Sequence, residues 1–432
     1  MAQPAAAFLS RDFLRYQMAR VVVIIGAEAQ ALAVAWQVYQ ITHRAIDLGY
    51  TGLILFLPGL LFMLPAGHVA DRFDRRQVIL ICYALQGVAS FLLLWLAWTG
   101  VSHVWPIFTL LFAIGTGRAF SGPASSALVP HLVPQEHFVN AITWGSAIFQ
   151  FSNIVGPAIG GVLFTLPLGK FFPARLHGAA LVYSFTLVAI VWFLVLVGSL
   201  HVRPGRMEHR EISWEVLLAG FHYVARTQVL LGSISLDLFA VLLGGAVALM
   251  PIFAQDILHA GPRGLGMLRA APALGALTVS LWLMVRPIQR RAGVRMLVCV
   301  AIFGAATVLF GVSKSLPVSL AALFIVGASD MVSVVIRSSV LQLATPPEMR
   351  GRVSAVNSLF VGASNELGEF ESGLTAQWWG AVRAAVFGGI GSLIVTGLWT
   401  VFFPSLRRAD SLTPEALLEA EKVQTGQEVR QR

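Results

Sequence analysis

The chain has 432 residues, of which 57% are hydrophobic and 12% charged, with a mean hydropathy of +0.77. Soluble domains carry roughly a quarter charged residues, so this composition excludes an ordinary soluble domain and points to an integral membrane protein. The formal charge of +9 does not indicate a nucleic acid partner, because the basic residues stand in short clusters between apolar runs, as the positive-inside rule produces.

A run of about 20 apolar residues crosses a bilayer. Such runs are predicted near 16–40, 48–70, 77–99, 104–129, 140–166 and 177–200, and again near 229–254, 264–286, 295–313, 317–341, 353–377 and 384–403. The expectation is therefore an all-α membrane protein of twelve spans. It divides into an N-terminal six-helix bundle (1–200), a linker (201–228), a C-terminal six-helix bundle (229–404) and a tail (405–432). The first run follows Arg11, Arg15 and Arg20 and lacks a small-residue cleavage site, so it reads as a retained helix rather than a signal peptide. Trp214, Leu217, Leu218, Phe221 and Val224 repeat at helical spacing in the linker and predict an amphipathic helix on the inner surface. The tail carries a short predicted helix at Thr413–Lys422. Arginine clusters at Arg72, Arg75 and Arg76, at Arg286, Arg290 and Arg291, and at Arg350 and Arg352 place both termini in the cytoplasm.

The two halves resemble each other. A shift of 212 residues lays Ser146, Ser152, Asn153, Gly156 and Gly161 on Ser358, Ser364, Asn365, Gly368 and Gly373. Parallel repeats of six spans are an architecture of secondary transporters.

Three local patterns carry a family resemblance. The loop "GHVADRFDRR" holds Gly67, Asp71, Arg72, Arg75 and Arg76, with Asp74 where a glycine is usual. The fourth run carries "RAFSGPASSA" and the fifth "SNIVGPAIGG", with Gly156, Pro157, Gly160 and Gly161. Over about residues 10–405 the chain resembles the major facilitator superfamily, and its later loop "TPPEMRGRVSAVNSLF" is similar to that of drug, macrolide and enterobactin exporters. The resemblance implies two pseudo-symmetric six-helix bundles, alternating access, a cytoplasmic gate at the Gly67–Arg76 loop, control of leakage at the glycine-rich bend, and monomeric function.

Charged residues inside the runs are costly and normally turn inward. Glu28, Arg118, Asp237, Asp330 and Arg337 lie in runs one, four, seven and ten, which the resemblance puts around a central cavity. Glu28 and Asp237 are the expected proton carriers, with Arg118 tuning them. Asp330 and Arg337 share a helix face and read alternatively as a structural pair. In "SNELGEFESG", Asn365, Glu366 and Glu369 share a face, with Glu371 elsewhere. Two readings stand for them: an outer gate network, or direct proton or cation binding.

Phosphate-loop, H-E-x-x-H and C-x-x-C patterns do not occur. An ATPase, a metalloenzyme and any cofactor are therefore not expected, and Cys82 and Cys299 offer no metal spacing. The expected function is export of small amphipathic molecules by proton antiport across a bacterial inner membrane. A lysophospholipid flippase and an importer remain as alternatives.

Overall fold

A computed structural model of the protein describes residues 6–100, 102–166, 178–201, 214–288 and 290–409. All regular structure among the described residues is helical. The chain forms two compact units. One comprises Met1–Ile212 with Ala254–Ala270, and the other comprises Ser213–Phe253 with Ala271–Arg432.

The first unit begins with a 3-10 turn, Ala6–Leu9, and then α1, Arg11–Thr42. Ser10 caps α1 by accepting from the Phe13 amide, and its hydroxyl donates to the Leu132 carbonyl at 2.6 Å. The helix continues for 32 residues because nothing in its apolar run is a proline. α2 (Ala45–Leu61) and α3 (Met63–Arg72) meet at a 56° bend. Pro58 precedes that bend, and a proline inside a helix removes a hydrogen bond and crowds the preceding turn. α4 (Arg75–Thr99), α5 (Trp105–Leu128), α6 (Phe138–Thr165) and α7 (Ala179–Gly198) follow. Phe13, Tyr16, Ile79, Leu128 and Phe193 lie in the buried core of this unit.

The second unit starts with α8, Trp214–Arg226, where the sequence predicts an amphipathic helix. Its Gly220 lies against the Arg352 backbone, its Tyr223 hydroxyl donates to the Ala344 carbonyl at 2.9 Å, and Leu218 remains 63% exposed. Residues 202–213, and the tail helix expected at Thr413–Lys422, lie outside the described residues. α9 (Gln228–Leu243) then breaks at Gly244 and Gly245. A 3-10 turn, Ala246–Leu249, the single turn α10 (Met250–Ile252) and a π-helical turn, Phe253–Ile257, come next. α11 is Gly261–Val285, α12 Ala292–Val312, α13 Leu316–Ala344, α14 Arg350–Trp379, α15 Ala381–Phe402 and α16 Pro404–Arg408. Leu230, Leu236, Met296, Ile336 and Val353 form part of its core.

Among the described residues nine helices are long and apolar enough to cross a membrane, and the bent α2–α3 pair makes ten. Two further long helices, α5 with 24 residues and α14 with 30, are those that carry Arg118 and the three glutamates. Charge makes them less apolar without shortening them, which accords with the twelve predicted runs. Outward faces are apolar: Ile81, Val188 and Met284 are 70%, 68% and 77% exposed. A surface of that kind suits lipid, not water.

Candidate functional site

In the second unit, α9 carries Asp237 and α13 carries both Asp330 and Arg337. Arg337 donates through Nη1 to the Asp237 carboxylate, and these side chains retain 5% and 6% exposure. Asp330 stands within electrostatic reach of both members of the pair. One acid is therefore bonded to the base, and a second lies in the same electrostatic neighbourhood.

Asp330 also lines a cavity of about 170 Å³ with Thr307, Asn365 and Glu369. Gly368 makes this possible. A Cβ there would stand 2.9 Å from the Val241 carbonyl oxygen and 3.0 Å from that of Leu242, so only a bare backbone lets α14 lie against the broken end of α9. Asn365 and Glu369, four residues apart, share that face. Glu366 is half-buried beside them without lining the cavity, and Glu371 is half-buried one turn on.

In the first unit the glycine-rich stretch of α6 meets two helices. A Cβ on Gly156 would come 2.5 Å from Glu28 Cβ, and one on Gly160 would come 2.8 Å from Ala29 Cα, both on α1. Gly161 instead faces the start of α11, where a Cβ would be 2.7 Å from the Pro262 oxygen. Pro157 lies within α6, and its carbonyl oxygen approaches Gly266 of α11. Glu28 is half-buried and makes no salt bridge among the described residues. Arg118 is exposed and lies, with Arg20, within electrostatic reach of Tyr83. Glu28 and Arg118 are thus in the first unit, while Asp237, Asp330 and Arg337 form their own cluster in the second.

The Gly67–Arg76 loop has an internal logic. Gly67 is buried in α3, Asp71 is half-buried in its last turn, and Arg72 is exposed. Asp74 caps α4 by accepting from the Arg76 amide at 2.9 Å, which accounts for an acid where a glycine is usual. Arg76 donates to the Gly198 carbonyl, and Arg75 contacts His131. Partial burial and then the Arg75 guanidinium lower the His131 pKa from its ordinary 6.5.

Two arrangements escaped the sequence reading. The Tyr39 hydroxyl donates to Asp256 in the π-helical turn, and Arg263 donates to Thr165 at 2.6 Å. Both contacts tie Ala254–Ala270 to the first unit. The other is a larger cavity lined by Tyr16, Gln17 and Arg20. Gln17 and Arg20 stand three residues apart in the sequence, but there Arg20 enters only with Arg11 and Arg15, as the basic group ahead of the first apolar run.

The sequence profile of the transmembrane secretion effector family matches residues 3–431. The chain belongs to this family. It is 25% identical over 402 residues to the enterobactin exporter EntS of Shigella boydii, covering 92% of this chain and 93% of that protein. The Escherichia coli O139:H28 enterobactin exporter EntS matches to the same extent. Among solved structures, a bacterial homologue of the human lysosomal transporter Spinster superposes with a TM-score of 0.69 at 16% identity, covering 95% of this chain and 98% of that one. A bacterial homologue of the iron transporter ferroportin gives 0.65 at 16% identity, with 90% and 98% covered. These likenesses show the major facilitator fold. As a member of the transmembrane secretion effector family, the protein is a multi-pass membrane transporter and not an enzyme.

Proposed function

We propose that the protein exports small amphipathic molecules by proton antiport through alternating access, as a monomer in a bacterial inner membrane with both termini cytoplasmic. The observation that carries this reading is the Asp237–Arg337 pair with Asp330 beside it. With both acids ionised the cluster holds one excess negative charge, and one proton brings it to neutrality. A charge at bilayer depth costs roughly 2.5–3.5 kcal/mol on insertion scales. The protonation state of this cluster is therefore linked to its access to water on either side. Each proton entering down 100 mV supplies roughly 2.3 kcal/mol, a usable drive for export.

The surroundings suit a proton or cation site. Val241, Gly244 and Gly245, at the broken end of α9, line the cavity with Asp330 and Glu369. A helix C-terminus carries partial negative charge, and discontinuous helices of transporters place such ends at coupling-ion sites. In this reading Asp237 and Asp330 carry the proton and Arg337 exchanges between them. Glu28 is a second carrier tuned by Arg118. Asn365, Glu366 and Glu369 form an outer network, Gly67, Asp71, Arg72, Arg75 and Arg76 latch the inner side, and Gly156, Pro157, Gly160 and Gly161 limit leakage.

Export as the direction, and siderophore-like molecules among the candidate substrates, are supported by the names of the relatives. The test uses everted vesicles with an imposed proton gradient and a pH-sensitive dye, to which drugs, catecholates and lysolipids are added in turn. A ligand that collapses the gradient in wild type but not in Asp330→Asn, which leaves the Asp237–Arg337 pair intact, supports the proposal. Labelled lysolipid moving between leaflets, with no ligand collapsing the gradient, would overturn it.

A further inference from the structure

The first unit has a second cavity, half open and of about 780 Å³, at the end where α1 and α6 begin and α5 finishes. That volume falls within the roughly 300–1,000 Å³ of small-molecule pockets. One wall is polar, with Tyr16, Gln17 and Arg20 from α1 and Ser125 from α5, and the Tyr16 and Ser125 side chains are hydrogen-bonded. The other wall includes Phe138, Ile142 and Phe149 from α6.

Two features of this cavity are unbalanced. Arg20 is the charged residue of the lining, no acid lines it, and Arg20 forms no salt bridge among the described residues. Gln17 is 2% exposed, and neither Nε2 nor Oε1 has a hydrogen-bond partner. A buried amide without partners costs stability, and the half-buried Arg20 guanidinium has no acid to balance it. The two groups sit three residues apart on one face of α1 and converge on the bare backbone of Gly145. From the position a Cβ would take there, Arg20 Nη1 is 3.1 Å away and Gln17 Nε2 is 3.7 Å away.

One kind of ligand compensates Arg20 and supplies the acceptor that Gln17 Nε2 lacks, though it offers no donor to Oε1. An oxyanion accepts from the guanidinium and from the amide, while a cation is repelled and a neutral molecule leaves Arg20 uncompensated. We propose that this cavity binds the anionic head of an amphipathic organic ion, with Arg20 and Gln17 holding the oxyanion and the Phe138, Ile142 and Phe149 wall receiving the apolar body. The inference rests on the export reading and names its substrate class as organic anions. The headgroup of an anionic phospholipid presents the same chemistry.

The experiment measures equilibrium binding to the purified full-length protein in phosphatidylcholine nanodiscs, without a gradient. The probes are a radiolabelled naphthyl carboxylate, its methyl ester and the matching naphthyl ammonium. The carboxylate should bind roughly tenfold or more tightly than the ester, the size of a hydrogen bond to a charged group. Arg20→Gln should abolish that preference, Arg20→Lys should keep part of it, and Gln17→Leu, which retains the charge, should reduce it. Equal binding of all three probes by wild type overturns the proposal, as does a preference that survives both Arg20→Gln and Gln17→Leu. Repeating the titration in discs containing phosphatidylglycerol separates the sources: competition identifies a lipid headgroup, and unchanged affinity identifies a soluble anion. Because no gradient is present, failure of proton coupling leaves this assay readable, and failure here leaves the coupling test intact.

Discussion

Arg337 on α13 is ion-paired with Asp237 on α9, not with Asp330 on its own helix. Removing one partner of a buried pair strands a charge and costs about 3–5 kcal/mol. Arg337→Gln is therefore expected to lower folded yield and melting temperature sharply, and Asp237→Asn with Arg337→Gln to recover most of the loss. Thermal unfolding of the purified variants, followed by tryptophan fluorescence, checks this.

The sequence carried the spans, the broad fold and the family patterns, because bilayer thickness dictates run length and these residues are local. It did not carry the partner of Arg337. Asp330 lies seven residues away, about 10.5 Å along a helix, and the pairing acid comes from a different helix 100 positions earlier in the chain. Arg20 was hidden for another reason. With Arg11 and Arg15 it forms a basic group ahead of the first apolar run, and only the cavity and the orphaned Gln17 amide give it a further meaning. The pairing of Tyr39 with Asp256 depends on a π-helical turn that no hydropathy pattern announces.

Gly160→Ala should loosen the α1–α6 contact. Its Cβ would sit 2.8 Å from Ala29 Cα and 3.1 Å from the Ala29 oxygen, backbone atoms that yield only if a helix moves. Overpacking of this kind costs about 1–3 kcal/mol. Gly122→Ala, which meets nothing within 4 Å, should be neutral or stabilising. Melting temperatures of the two variants, measured in one detergent, decide the point.

Asp74 works as a helix cap. Asp74→Ala should destabilise the start of α4 by about 1 kcal/mol, and Asp74→Gly by only a few tenths. Hydrogen exchange at the amides of Arg76 and Gln77 reads the difference.

The contact between Arg75 and His131 should weaken in acid. The folded His131 pKa is lowered from 6.5 by partial burial and then by Arg75, so just below that pH the unfolded chain binds more protons than the folded one. Stability from this group rises with pH across that window, is complete above about pH 6.5 and is lost as pH falls. Intrinsic-rate-corrected hydrogen exchange of the α3–α4 loop should be flat from about pH 7 to 8 and faster below about 6. His131→Gln should remove the pH dependence.

Proton coupling at the Asp237–Arg337–Asp330 cluster is tested most directly in proteoliposomes, with a labelled substrate identified by gradient collapse. Two quantities are compared for wild type, Asp237→Asn and Asp330→Asn: exchange of substrate without a gradient, and accumulation driven by an imposed pH difference. At least one of the two variants is expected to exchange substrate yet no longer accumulate it. Accumulation at the wild-type level in both variants would contradict it and leave the cluster a structural bridge.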